Sequence, residues 1–298
     1  IWWYVDGISD DGQHALTIIA FVGAVFSPAY FRARRRSLLA DPMLHCALNV
    51  VVHGPGGDAW ALTEYRGLAV TRERDRLRLG DSLLERDDDG LSITLREQTS
   101  PWRRPIRGRV RLEVDAWTDT EIALDRATRH CWWPVAPSAR IEVELERPRL
   151  SFRGSGYHDS NAGIEPLECA LAGWSWSRAP TDDGVALLYD VRAHDGEARS
   201  LGLHIDRQGR RAPLPAPDLV ALPPTRWRLS RPTRVDAGGD STLRRSLVDT
   251  PFYARSLIDT RLHGAQRTAV HESIALDRFV RRSTQLMLPF RTRGVGWW

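Results

Sequence analysis

Apolar and polar residues alternate with period two over much of this chain. Leu91, Ile93 and Leu95 are interleaved with Ser92, Thr94 and Arg96; Val110, Leu112 and Val114 with Arg111 and Glu113; Ile141, Val143 and Leu145 with Glu142, Glu144 and Glu146. Successive side chains of a strand point to opposite faces, so each run predicts a half-buried strand with a charged outer face. Turn-forming clusters separate the runs: Asp6-Gly7, Gly54-Pro55-Gly56-Gly57, Asp87-Asp88-Asp89-Gly90, Asp182-Asp183-Gly184, Asp195-Gly196 and Gly238-Gly239-Asp240. Many short strands at such spacing predict an all-β, antiparallel architecture of barrels or sandwiches. Helical periodicity is confined to a short stretch from Ser273 to Leu286.

A composition break after Arg178 divides the pattern. The first part holds nine of the twelve tryptophans, and from Ala179 a fresh series of strands begins, including Val185 to Val191, Leu201 to Ile205 and Tyr253 to Leu262. Residues 1–178 are therefore expected to form one barrel-like half and 179–298 a second, with the Pro-rich stretch Pro213 to Pro217 as a long loop inside the latter. A small barrel can hold one hydrophobic ligand inside it, which would suit a lining of aromatic side chains.

Composition narrows the chemistry. The 298 residues contain 42 basic side chains, every one an arginine, against 38 acidic ones. Without lysine there is neither a phosphate-binding P-loop nor a Schiff-base amine. A formal net charge of +4 with interspersed acids does not argue for nucleic acid. Cys46, Cys131 and Cys169 are widely spaced and form no CxxC, which fits a reduced cytoplasmic compartment and gives no zinc spacing. Arg34-Arg35-Arg36 reads as a solvated run, with anionic lipid as a lesser alternative. The longest apolar run, Ala15 to Phe26, is well short of the roughly 20 residues of a membrane-spanning helix. The start lacks an initiator Met, and Ile1-Trp2-Trp3 looks like the middle of a strand, so an N-terminally trimmed fragment is expected.

No GxSxG, HExxH or GxGxxG element is present. Aromatic and ionisable residues instead mix between Arg129 and Arg178: His130-Cys131-Trp132-Trp133, Gly154-Ser155-Gly156-Tyr157-His158-Asp159-Ser160-Asn161 and Trp174-Ser175-Trp176-Ser177. A carboxylic acid among such neighbours is kept protonated by removal from water, and aromatic faces favour a developing cation, so the cluster is equipped to protonate an alkene. The same spacing also describes an ordinary turn in which Asp159 and Asn161 bond their own backbone, and on spacing alone the turn is favoured. Trp132, Trp174 and Trp176 fit barrel walls equally well, and His158 is either a relay or a bystander.

Trp2-Trp3-Tyr4-Val5-Asp6-Gly7-Ile8-Ser9-Asp10-Asp11-Gly12, Asp41-Pro42 with His45-Cys46-Ala47-Leu48-Asn49-Val50, Tyr157 to Asn161, Trp174 to Ala179 and Asp249-Thr250-Pro251-Phe252-Tyr253-Ala254-Arg255-Ser256 resemble carotenoid 1,2-hydratases (hydroxyneurosporene synthases). The likeness runs almost from end to end. It departs at Trp133, where a polar or basic residue is expected, and at the closing residues 294–298. The resemblance implies two lipocalin-like β-barrel halves and addition of water, without a cofactor or metal, to the terminal double bond of acyclic carotenoids such as neurosporene and lycopene. It implies Asp159 as the acid, Tyr157 and Trp132 as aromatic partners of the cation, His158 as a possible proton relay, and Trp174, Trp176 and Asn161 as pocket residues. So apolar a substrate resides in a membrane, so peripheral attachment at the inner or intracytoplasmic membrane is expected.

Overall fold

The computed structural model describes residues 1–37 and 40–294. The expected all-β, lipocalin-like class is the one observed, in two compact units: residues 1–122, 132–163 and 286–298 form the first, and 123–131 and 164–285 the second. Where the composition break suggests a boundary after Arg178, the contacts change at Gly163. The reason is pairing: the strand that carries Trp174, Trp176 and Arg178 joins the second sheet on both of its edges.

In the first unit, β1 (Trp2–Ser9), β2 (Ala15–Phe21), β3 (Cys46–His53) and β4 (Ala59–Tyr65) form an antiparallel meander. β5 (Val70–Arg72), β6 (Arg76–Leu79), β7 (Ser82–Arg86), β8 (Gly90–Gln98) and β9 (Pro105–Val114) form another. After the short β10 (Ile122–Ala123), the long hairpin of β11 (His130–Arg147) and β12 (Leu150–Gly163) joins them, with β12 against β1 and β11 against β9. The sheet curls until β8 reaches β4, where Glu97 accepts hydrogen bonds from Thr63 at 2.6 Å and Tyr65 at 2.7 Å, and from Ser82 of β7 at 2.7 Å. Burial pushes the Glu97 carboxyl above the ordinary carboxylate range, and these three hydroxyls act in the opposite direction.

The aliphatic core lies on one face of these strands. Val5, Leu16, Ile18, Leu48, Val50 and Ile141 are among its members, each burial contributing roughly 1.5–3 kcal/mol. Asp6-Gly7 is part of β1 and not a turn. A Cβ at Gly7 would lie 2.6 Å from Ile141 Cδ1, so this glycine makes room for a core side chain. Helix α1 (Pro28–Arg36) starts with Ser27 accepting from Tyr30 N, a capping arrangement with Pro28 in the first turn. Arg34 is buried, with its guanidinium over the Tyr30 ring at 4.6 Å, so the arginine run is not uniformly solvated; Arg35 and Arg36 are exposed.

In the second unit, after α2 (Leu167–Ala170), come β13 (Leu171–Pro180), β14 (Gly184–Ala193), β15 (Ala198–Asp206) and β16 (Arg211–Pro213). They are followed by β17 (Asp218–Leu222), β18 (Arg231–Val235), β19 (Ser241–Asp249), β20 (Tyr253–Leu262) and β21 (Ala265–Ala275). Seven of these form one antiparallel sheet in the order β16-β15-β14-β13-β21-β20-β19. β17 and β18 pair as a separate hairpin. The Pro-rich stretch thus ends β16 and leads into β17. The expected helix from Ser273 is displaced: strand pairing with β13 and β20 holds Ser273 and Ile274 in β21. Two short helices follow, α3 (Leu276–Phe279) and α4 (Arg282–Met287). A last short strand, β22 (Arg293–Gly294), runs parallel to β4 in the first unit's sheet. Residues 295–298 lie outside the described residues.

Candidate active site

Tyr157 to Asn161 do not form a turn. They lie within β12, whose pairing with β1 sets Tyr4 opposite Asp159, Val5 opposite His158 and Asp6 opposite Tyr157. Val5 belongs to the aliphatic core, so alternation puts Tyr4, Asp6, Tyr157, Asp159 and Asn161 on the other face. The acidic element therefore sits opposite the aliphatic core and not among it, unlike a ligand site enclosed by that core.

Asp159 is 5% exposed and Tyr157 and Trp132 are buried. Tyr157 donates its hydroxyl to Asp159 Oδ2 at 2.9 Å, and the Trp132 indole N–H donates to the same oxygen at 2.9 Å. Two donors fill the two lone-pair directions of Oδ2, so a transferable proton on this carboxyl belongs on Oδ1. Burial first, and then the neighbouring Asp159 charge, push the Tyr157 hydroxyl well above its ordinary range, so it stays a neutral donor. Trp132 and not Trp133 meets the carboxylate. The Trp133 N–H instead donates to the Thr118 carbonyl at 2.8 Å, which fixes its indole elsewhere.

A second pair lies beside the first, and sequence reasoning missed it. Tyr4 donates to Asp6 Oδ2 at 2.8 Å, Asp6 has no solvent exposure, and the Tyr4 and Tyr157 rings meet edge to face at 6.2 Å. The signal was a Tyr-x-Asp element recurring in Tyr4-Val5-Asp6 and Tyr157-His158-Asp159. Glycine after Asp6 obscured it by resembling a turn.

His158 points the other way. Its Nδ1 lies 2.9 Å from the Tyr4 carbonyl oxygen, which can only accept, so Nδ1 carries the hydrogen. Burial lowers its pKa to about 4, and its ring meets Trp3 at 6.1 Å. The structure thus separates His158 from Asp159 by the thickness of the sheet. Asn161 shares the Asp159 face and is buried. Trp174 and Trp176 are buried on one face of β13 in the second unit.

Asp183, His204 and His263 of the second unit bring three potential metal-ligand atoms within 4.8 Å of one another. His204 Nε2 is 3.1 Å from Asp183 Oδ1 and 3.1 Å from Thr181 Oγ1, and its ring stacks on His263 at 4.2 Å and 7°. Nearly parallel stacked rings do not aim their lone pairs at a common point. The arrangement locks the Thr181 to Gly184 turn.

Comparison with known proteins gives a consistent result. The family described as carotenoid hydratase CrtC matches residues 18–297. The acyclic carotenoid 1,2-hydratase of Thiocapsa roseopersicina is 49% identical over 297 residues, covering 99% of this chain and 73% of that protein. The acyclic carotenoid 1,2-hydratase of Rubrivivax gelatinosus is 41% identical over 293 residues, covering 98% and 72%. A crystal structure assigned to AttH of Nitrosomonas europaea is similar with a TM-score of 0.61 at 13% identity, covering 92% of this chain and 91% of that one, a likeness of fold alone. On the length and identity of these matches, the chain belongs to the carotenoid hydratase CrtC family.

Proposed function

We propose that this chain is a hydro-lyase that adds water to the terminal C1=C2 double bond of acyclic carotenoids such as neurosporene and lycopene, giving tertiary 1-hydroxy carotenoids. The observation that carries this reading is Asp159: a buried carboxyl with two neutral aromatic donors on one oxygen, on a face rich in aromatic side chains.

A trisubstituted alkene is a very weak base and is protonated only by an acid held close and out of water. Asp159 gives its Oδ1 proton to C2, the π electrons form the new C–H bond, and C1 becomes a tertiary cation. Trp132 and Tyr157 hold their polar edges on Oδ2, stabilising the carboxylate left behind, and their rings offer quadrupoles to the cation. Water attacks C1 and gives a proton to the Asp159 carboxylate, which leaves the tertiary alcohol and restores the acid. Protons and electrons balance within this cycle, so no cofactor is invoked.

A membrane-resident substrate calls for contact with the bilayer, and no helix among the described residues is long and apolar enough to cross one. The β8–β9 hairpin supports peripheral attachment, since Trp102 is 78% exposed at its tip beside Arg103 and Arg104. Indole and guanidinium groups suit the headgroup region of an anionic leaflet.

Incubating the protein with neurosporene or lycopene in ¹⁸O-labelled water tests the reading. A tertiary alcohol carrying the label is expected. Carotenoid bound with quenched tryptophan fluorescence but chemically unchanged would make the protein a lipocalin-like carrier. An altered polyene without label would make it an isomerase or cyclase.

A further inference from the structure

We infer that the first unit carries a composite docking surface for an anionic membrane, formed by the tip of the β8–β9 hairpin together with the segment Leu286–Arg291. The inference rests on the reading of a membrane-resident substrate above and extends the attachment assigned there to the hairpin alone.

Two stretches of chain build this surface. The hairpin tip is closed on Thr99, whose N–H donates to the Arg104 carbonyl at 2.8 Å. The Thr99 carbonyl accepts from Arg103 N at 2.9 Å and its hydroxyl from Arg104 N at 3.0 Å. A loop ordered in this way presents Trp102 to solvent as a fixed feature. The second stretch is the end of α4 and the 3₁₀ turn Leu288–Arg291, where Leu286 is 73% and Phe290 79% exposed.

Trp60, at the start of β4, joins the two. Its carbonyl accepts from Ser100 N at 3.0 Å, and its indole N–H donates to the Arg291 carbonyl at 3.3 Å. The Arg291 guanidinium lies over the same indole at 5.4 Å, and the pairing of β22 with β4 continues the anchor. The exposed Trp102 and Phe290 therefore project from neighbouring points of one rim.

Charge identifies the occupant. Residues 99–107 contain Arg103, Arg104 and Arg107, and residues 286–294 contain Arg291 and Arg293, with no Asp or Glu in either stretch. In the chain as a whole 42 arginines are nearly balanced by 38 acids, so this rim is locally unopposed. Aromatic side chains ringed by guanidiniums suit a headgroup layer, where the rings enter the interface and the cations meet lipid phosphates. A second copy docked here by two-fold symmetry would set arginine against arginine, which opposes pairing.

Co-sedimentation with vesicles of phosphatidylglycerol in phosphatidylcholine, against phosphatidylcholine alone, tests the inference. The parent is expected to bind the mixed vesicles preferentially and to release them as salt rises. Replacing Arg103 and Arg104 together by Ser should weaken that binding by about 10–30-fold. Phe290→Ser, on the other stretch, should weaken it by about tenfold, and Leu286→Ser serves if that variant fails to fold. A loss in only one of the two stretches would overturn the composite surface. Equal binding of the parent to both vesicles, or to neither, would overturn the choice of an anionic membrane; a parent that ignores vesicles and sediments as a dimer dissociated by Phe290→Ser would make this rim a contact between copies. Vesicle binding is read without turnover, so a parent that binds as expected but forms no alcohol would remove the hydratase reading and leave this surface standing.

Discussion

The two units carry the same device with different neighbours. In the first, His158-Asp159 on β12 sends the imidazole to the aliphatic side and the carboxylate to the opposite face. In the second, His271-Glu272 on β21 does the same: His271 Nε2 lies 2.9 Å from the Pro232 carbonyl oxygen, and burial lowers its pKa to about 4, as for His158. Both carboxylates have tryptophan on one side, Trp132 for Asp159 and Trp176 directly opposite Glu272. They part on the other side. Tyr4 stands opposite Asp159, whereas Arg255 stands opposite Glu272, with Nη1 3.5 Å from Oε1 and Tyr253 donating at 2.9 Å. A carboxylate beside a buried guanidinium is held as an anion and serves the fold. The hydroxyl and indole that donate to Asp159 Oδ2 carry no charge, so they hold a carboxylate less firmly than a guanidinium does.

If that contrast is right, breaking the second unit's pair should damage stability. Arg255→Ala leaves Glu272 buried without its counter-charge and is expected to destabilise the protein by about 3–5 kcal/mol, read by denaturant titration. A loss well under 1 kcal/mol would mean that the guanidinium does not support Glu272.

Acid should affect both units alike. Each imidazole is neutral when folded, with a pKa of about 4, and takes up a proton near pH 6.5 when unfolded. Between these values the unfolded chain binds more protons. Stability is therefore complete above about pH 6.5 and falls as the pH drops toward 4, by at most about 3 kcal/mol per histidine. Thermal melts from pH 7 to 4.5 should show the fall, and a flat profile would refute it.

The smallest expected effect sharpens the site itself. Trp132→Phe keeps an aromatic face but removes the N–H donor to Asp159, at a cost of about 1–1.5 kcal/mol, or roughly tenfold in turnover. A loss of a thousandfold would mean that the indole contributes mainly through its ring.

Much of this plan is legible in the sequence where one face is apolar and the other charged. The strands carrying Leu91 to Leu95, Val110 to Val114 and Ile141 to Leu145 alternate as expected, and Tyr253–Leu262 is a strand over its whole length. The site strands mislead because both of their faces are buried. With no charged outer face, Asp6-Gly7 and Gly154 to Asn161 show glycine and short polar residues, which locally favour turns. Only the pairing of β1 with β12, residues more than a hundred positions apart, makes them strands and brings the two Tyr-x-Asp elements together. Arg34 misleads for a related reason, since composition cannot reveal the Tyr30 ring that it covers.

The most direct measurement is turnover of neurosporene by Asp159→Asn, with fold and melting temperature matched to the parent. The asparagine oxygen can still accept from Trp132 and Tyr157, but the group cannot deliver a proton. The account predicts a loss of about 10²–10⁴-fold, and turnover within a few-fold of the parent would contradict it.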